Sequence, residues 1–309
     1  MNPLNYGAIS FPFLGLEVNP PRALSLGPLS VHLYGLVIAL GLLLAVFYAC
    51  RRCKEFGIKE DDLLDGVLWV TPFAILCARA YYCVFAWEQY ADNPISVLHI
   101  WNGGLAIYGG VIGAALGILV YTKVKKVSVL ALLDLVSIGF LIGQSIGRWG
   151  NFMNREAYGA VTDSFLRMGL YLTESGRYSS QMQYFHPTFL YESLWNAAGF
   201  VILHFASKKR QYDGQIALGY VAWYGLGRTF IEGLRTDSLY LGPFRISQLL
   251  AAVSCAAAVI VLVLQYFRSH DPANLYANRV AAAEAAAAEA AEVLPEEASQ
   301  EETAEENAE

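Results

Sequence analysis

The sequence predicts an all-α polytopic membrane protein with seven transmembrane helices and a small external cap between the fourth and fifth. Three observations predict it. Of 309 residues, 56% are hydrophobic and only 16% are charged, where a soluble domain carries nearer a quarter. Runs of about 20 mostly apolar residues, the length that crosses a hydrocarbon layer, fall at 30–50, 63–86, 104–122, 128–147, 188–206, 214–233 and 246–267. The basic residues, finally, gather in alternate connectors.

Residues 1–27 lack a basic start and carry several prolines, so they read as an external segment rather than a signal peptide. Arg51, Arg52, Lys54 and Lys59 follow the first helix. Lys123, Lys125 and Lys126 follow the third, Lys208, Lys209 and Arg210 the fifth, and Arg268 the seventh. The connector at 87–103 has no lysine or arginine. By the positive-inside rule the basic connectors are cytoplasmic, which puts the N-terminus outside and the C-terminus inside. The connector at 148–187 is then external, and it is long enough to fold as a cap with short strands. Trp87, Tyr90, Trp101 and Tyr184, near helix ends, read as interfacial belt residues.

The domain reading is an external segment at 1–27, a seven-helix transmembrane body at 28–268 and a cytoplasmic tail at 269–309. The formal charge of -6 hides an asymmetry. Residues 271–309 hold 11 acids and one arginine, while the rest holds 20 basic and 16 acidic residues. The tail from 280 to 293 is almost wholly alanine and glutamate, a good helix former. After Pro295 its composition predicts disorder. The five cysteines lie in or beside apolar runs. Cys50-x-x-Cys53 has redox spacing, but no second pair or histidine cluster supports that use, so they read as small buried hydrophobes.

The most informative stretch is 147–159, Gly-Arg-Trp-Gly-Asn-Phe-Met-Asn-Arg-Glu-Ala-Tyr-Gly, which follows an apolar run. Ionisable groups at membrane depth are costly and usually functional. Arginines match phosphate and asparagine amides both donate and accept, so a phospholipid head group is the expected ligand. Three further clusters are assigned to the same outer side: His32-Leu33-Tyr34-Gly35, Asn102-Gly103-Gly104 through Tyr108-Gly109-Gly110, and Arg228 through Arg235. Arg228 and Glu232 share a helix face at i,i+4, which serves a salt bridge or a site equally. The glycine pairs can serve close helix packing. His186, before Pro187, reads as a cap or interface residue. Glu192, one turn into a membrane helix, needs a partner. Asp134 and Gln144 are intramembrane polar groups, Asp134 with a structural pairing expected, and Arg79 precedes Ala80-Tyr81-Tyr82, suggesting a charge near tyrosine hydroxyls.

Together, residues 147–159 resemble the signature of the prolipoprotein diacylglyceryl transferases, bacterial enzymes that lipidate lipoprotein precursors. The resemblance runs from about 28 to 268, through His-x-Tyr-Gly at His32, Gly-Gly-x4-Gly-Gly at Gly103, His-Pro-x3-Tyr-Glu at His186 and Arg-x3-Glu-x2-Arg at Arg228. It implies seven spans in the bacterial cell membrane. It also implies transfer of a diacylglyceryl group from phosphatidylglycerol to the lipobox cysteine of prolipoproteins, with release of glycerol 1-phosphate, the first step of lipoprotein maturation. Arg148, Asn151, Glu156, Gly159, Tyr34, Arg228 and Glu232 match its important positions. Some members carry a proposed catalytic histidine where this chain has Tyr108. A tyrosine, with a pKa of ~10, is a poor base, so Tyr108 is assigned to head-group binding.

The expected roles follow from a sulfur nucleophile displacing phosphate from carbon. Arg148 and Arg228 stabilise the leaving phosphate. Asn151 and Asn154 hold glycerol and phosphate oxygens, and Glu156 and Glu232 orient the arginines or relay a proton. The expected partners are phosphatidylglycerol, lipobox peptides and the bilayer, with no nucleic acid, metal or cofactor. An anionic-solute transporter also places arginines and glycines at broken helices, but no internal repeat is visible. An intramembrane hydrolase lacks a serine–histidine motif, and a non-enzymatic lipid binder would release no glycerol phosphate.

Overall fold

A computed structural model describes residues 7–26, 29–100, 103–236, 240–241 and 244–306. Trp101 and Asn102 lie outside the described residues, as do the ends of the expected N-terminal segment and tail. In chain order the elements are β1 (Ile9–Phe11), β2 (Leu16–Val18), β3 (Ala23–Leu26), β4 (Leu29–His32), α1 (Leu33–Arg52), α2 (Glu60–Phe85), α3 (Ile107–Lys125) and α4 (Val129–Asn154). Then follow β5 (Met168–Leu172), β6 (Tyr178–Phe185), α5 (Thr188–Ser207), α6 (Gln215–Leu234), β7 (Tyr240–Leu241), β8 (Phe244–Arg245), α7 (Ile246–Tyr266) and α8 (Tyr276–Glu306).

Among the described residues five helices are long and apolar enough to cross a membrane: α1, α2, α3, α4 and α7. The chain is thus a largely helical, polytopic membrane protein. Helices α5 and α6 occupy the other two expected positions, but buried Glu192 and Asn196 in one and Glu232 in the other make them more polar. Two helix ends differ from expectation. The first helix begins at Leu33 rather than 30, because Leu29–His32 pairs as strand β4 with β3. The fourth runs past 147 to Asn154, so half of the signature is helical. The tail is helical to Glu306, through Pro295, where composition predicts disorder.

The chain forms two compact units. The first comprises Met1–Ala49, Leu133–Arg210 and Gly214–Ser269. In it, β1, β2, β5 and β6 form one antiparallel sheet in the order β2-β1-β5-β6. Ile9, Phe11, Met168, Leu170 and Phe185 of the sheet pack with Phe152 of α4 and Phe189 of α5 in one buried cluster. Apolar burial of this kind contributes ~25 cal/mol per Å² and holds the sheet against two helix ends. Helix α1 lies close on α4, where a Cβ on Gly41 would meet the Gly143 carbonyl oxygen at 3.2 Å. Asp134 accepts from the backbone N–H groups of Gly214 at 2.8 Å, Ile216 at 2.9 Å and Ala217 at 2.8 Å. A carboxylate on a second helix thereby satisfies donors that the first turn of α6 cannot satisfy itself, which agrees with the structural pairing expected for Asp134.

The second unit comprises Cys50–Leu132, Gln211–Asp213 and His270–Glu309. Gly109 and Gly113 let α3 press against α2, since added Cβ atoms would collide with Tyr81 and Cys77. Arg79 is bound by backbone carbonyl groups. Its guanidinium donates to the carbonyl oxygens of Val97 at 2.8 Å, Gly103 at 2.7 Å, Gly104 at 3.0 Å and Ser96 at 3.0 Å. It also lies 5.1 Å from the centre of the Tyr90 ring. Tyr90 is accordingly buried, not a belt residue. The backbone N–H of Tyr276 donates to Asp213 at 2.9 Å and anchors the start of α8. All five cysteines are free thiols.

Candidate active site

The site lies in the first unit, where the end of α4, the start of α5 and the end of α6 meet. Because α4 stays helical through Asn154, Arg148 and Asn151 fall on one face, three residues apart. Arg148 Nη1 donates to Asn151 Oδ1 at 3.3 Å. The chain then leaves the helix through Arg155 and Ala157, both at φ 56°, a region that non-glycine residues seldom adopt. This turn brings Glu156 back over the helix end. Its Oε1 accepts from Asn151 Nδ2 at 3.0 Å and Asn154 Nδ2 at 3.3 Å.

Arg155 holds that turn in place. Its guanidinium donates to the carbonyl oxygens of Gly7, Met153 and Pro20 and to Asn19 Oδ1, at 2.6 to 2.9 Å. Burial, and secondarily the charge of Arg22, pulls its pKa below the ordinary value. Arg155 is therefore a structural post, distinct from the other arginine of the signature.

Glu192 is the centre of the charge network. One of its oxygens lies 2.6 Å from Arg148 Nη2 and the other 3.1 Å from Arg228 Nη1. Arg228 Nη2 reaches Glu232 Oε2 at 2.5 Å, and Arg235 Nε lies 3.9 Å from the same oxygen. Both carboxylate side chains are 3% exposed, whereas Arg148, Arg228 and Arg235 keep 22%, 16% and 13% of their surface open. The carboxylates thus lie beneath the guanidinium groups and orient them. Three cations face two carboxylates in direct ion pairing. The partly open guanidinium forks suit a phosphate.

Backbone contacts complete the site. Gly159 N–H donates to the His186 carbonyl at 2.9 Å, and Ala160 N–H to the Leu234 carbonyl at 2.8 Å. Gly159 and Arg235 form an antiparallel bridge. A Cβ on Gly159 would come within 2.7 Å of His186 Cβ and 2.8 Å of the Leu234 oxygen, so only glycine fits. Tyr34 lies on Gly150, where a Cβ would approach its ring to 2.8 Å. Burial lowers the His186 pKa below its ordinary value, and its Nδ1 lies 3.3 Å from the Tyr191 hydroxyl.

The family model for prolipoprotein diacylglyceryl transferase matches residues 21–264. The chain belongs to this family. Proteins named phosphatidylglycerol–prolipoprotein diacylglyceryl transferase are among its relatives. That of Bacillus licheniformis is 49% identical over 253 residues, covering 79% of this chain and 93% of that protein. That of Bacillus velezensis is 45% identical over 262 residues, covering 83% and 95%. A third, of Limosilactobacillus reuteri, is 42% identical over 266 residues, covering 84% and 95%. The family match ends before α8.

Within this family member, Arg148, Asn151, Asn154, Glu156, Arg228 and Glu232 fall into one bonded network. Gly159 and Tyr34 adjoin it through backbone packing and Gly150. Tyr108 stands in the first turn of α3, in the second unit, and is 36% exposed. Glu192 was missing from the expected site residues, yet it links the two central arginines. Its signal was in the sequence: a carboxylate one turn into an apolar helix, in His-Pro-x3-Tyr-Glu.

Proposed function

We propose that this chain is a diacylglyceryl transferase acting on phosphatidylglycerol and the lipobox cysteine of prolipoproteins in the bacterial membrane. The observation that carries this reading is Glu192 holding Arg148 with one oxygen and Arg228 with the other. In the proposed reaction the cysteine sulfur attacks the glyceryl carbon that bears the phosphate. A C–S bond forms, the C–O bond breaks, and its electron pair passes to the phosphate oxygen of the departing glycerol 1-phosphate. The thiol proton passes to that phosphate or to solvent. A nearby cation increases the thiolate fraction of a thiol, so the arginines aid both the nucleophile and the leaving group.

Arg148 and Arg228 bear the developing charge, while Asn151 and Asn154 hold phosphate and glycerol oxygens. Glu156 orients the asparagines, and Glu232 orients Arg228. Gly159 and Tyr34 shape the pocket wall. All seven of α1 to α7 act as spans. Polar α5 and α6 turn their charges to the bundle interior, where ionisable groups are tolerated. The N-terminus and the 148–187 cap face outward and the 269–309 tail faces the cytoplasm, supported by the basic residues of the alternate connectors.

The test is replacement of Arg148 or Arg228 by alanine, assayed in membranes with labelled phosphatidylglycerol and a lipobox peptide. Each replacement should lower transfer by about 10²-fold or more. Wild-type rates in both variants would refute the assignment.

A further inference from the structure

One helical turn from the ion pairs, toward the start of α4, lies a second polar layer. Ser145 and Ser193 each donate to the other's backbone carbonyl, at 2.9 and 2.8 Å. With Arg148 paired to Glu192, these bonds set α4 and α5 in antiparallel register. Gln144, four residues before Arg148, and Asn196, four residues after Glu192, therefore stand at one level. Trp195 and Trp223 exchange bonds with each other's carbonyls at 2.9 Å, which brings α6 to the same level. Gln144 Nε2 donates to the Tyr220 hydroxyl at 2.9 Å, and the Tyr220 and Tyr224 rings stack at 5.8 Å.

Asn196 is 0% exposed. Neither of its amide atoms has a partner among the described residues, and the same holds for buried Gln144 Oε1. Leaving such groups unpaired is costly, and a polar, buried position of this kind is ordinarily satisfied by a ligand or ordered water. Two of the three atoms are acceptors that require a donor, and Asn196 Nδ2 is a donor that requires an acceptor. An ammonium only donates and an ester carbonyl only accepts. A hydroxyl does both.

We propose that Gln144 and Asn196 form a hydroxyl-binding subsite beside the ion-pair network. Its occupant is a glycerol hydroxyl of the lipid head group or an ordered water, and its role in transfer rests on the transferase reading above. Asn196 is then a positioning residue that helps to set the donor against Arg148 and Arg228.

The test uses the full chain in lipid nanodiscs, with Asn196→Leu and Asn196→Ser. Transfer is measured from phosphatidylglycerol and from phosphatidylmethanol, whose head group has no hydroxyl, and Tm is recorded. If a glycerol hydroxyl binds there, Asn196→Leu cuts the preference for phosphatidylglycerol about tenfold. If water binds there, kcat falls about tenfold with both donors, the preference stays, and Asn196→Ser restores part of the rate. A dry, merely structural layer predicts a higher Tm for Asn196→Leu, because unpaired groups are removed. Unchanged preference and unchanged kcat overturn the proposal. Should Asn196→Leu fail to fold, Gln144→Leu carries the same donor comparison. Wild-type protein that releases no glycerol phosphate fails the transferase reading instead. The subsite is then judged by Tm alone, a rise overturning it and no rise supporting it.

Discussion

Glu192 Oε1 sits 2.6 Å from Arg148 Nη2, tying the first turn of α5 to the last turns of α4 by charge. The same carboxylate holds Arg228. Removing its charge leaves Arg148 without its carboxylate and Arg228 with Glu232 alone. Glu192→Gln is expected to fold and to lose about 10²-fold or more in transfer, while Glu192→Leu should also lose ~3–5 kcal/mol of stability, the usual cost of breaking a buried pair. Activity and thermal unfolding of the two variants separate the effects. Near-wild-type transfer by Glu192→Gln would show that its charge is dispensable.

Arg228 bridges two carboxylates with two different nitrogens. A lysine offers one compact ammonium and cannot span both. Arg228→Lys should therefore retain the positive charge and still lose about tenfold or more in kcat. Full activity would mean that charge alone suffices.

Gly159 admits no side chain between His186 and the Leu234 carbonyl. Gly159→Ala must push apart the backbone that bridges to Arg235. Overpacking of this kind costs ~1–3 kcal/mol. The expected variant is less stable and has weakened transfer. An unshifted Tm would contradict the close packing.

Burial holds His186 below its ordinary pKa of ~6.5. Between that lowered value and ~6.5 the unfolded chain takes up a proton that the folded chain refuses. This contribution to stability is therefore present above ~6.5 and lost as the pH falls through the lowered value. His186→Gln should flatten the decline of Tm between about pH 7 and 5. A slope identical to that of the wild type would assign the decline to other groups.

Asp134 caps α6 from a distance with three hydrogen bonds. Asp134→Ala leaves those donors without it, at a cost of ~1–2 kcal/mol, comparable to loss of a helix cap. Thermal unfolding checks it, and no fall in Tm would rule out the capping role.

Much of the fold was legible because hydropathy and charge are local properties. Seven apolar runs mark the positions of seven helices, and the spacing of Arg228 and Glu232 already puts them on one face. The short strands were less legible. Ile9–Phe11 is three residues long and pairs with Met168–Leu172, so neither length nor periodicity announces it. The signature's helical half was obscured by its glycines and charges, whose bonds to α5 and the sheet come only with the tertiary fold. Glu192 shows the same limit. The sequence says that it needs a partner, and the fold supplies two.

The Arg155 clasp also has a consequence for the order of assembly. Its guanidinium seizes the Gly7 carbonyl across 148 residues of chain. At 5–20 residues per second, the segment around Gly7 waits about 7–30 s for the residue that will hold it. Four helices are synthesised in that interval. The turn that carries Glu156 is thus closed by residues made long before it, which makes changes around Gly7, Asn19 and Pro20 a poor choice for preserving that turn.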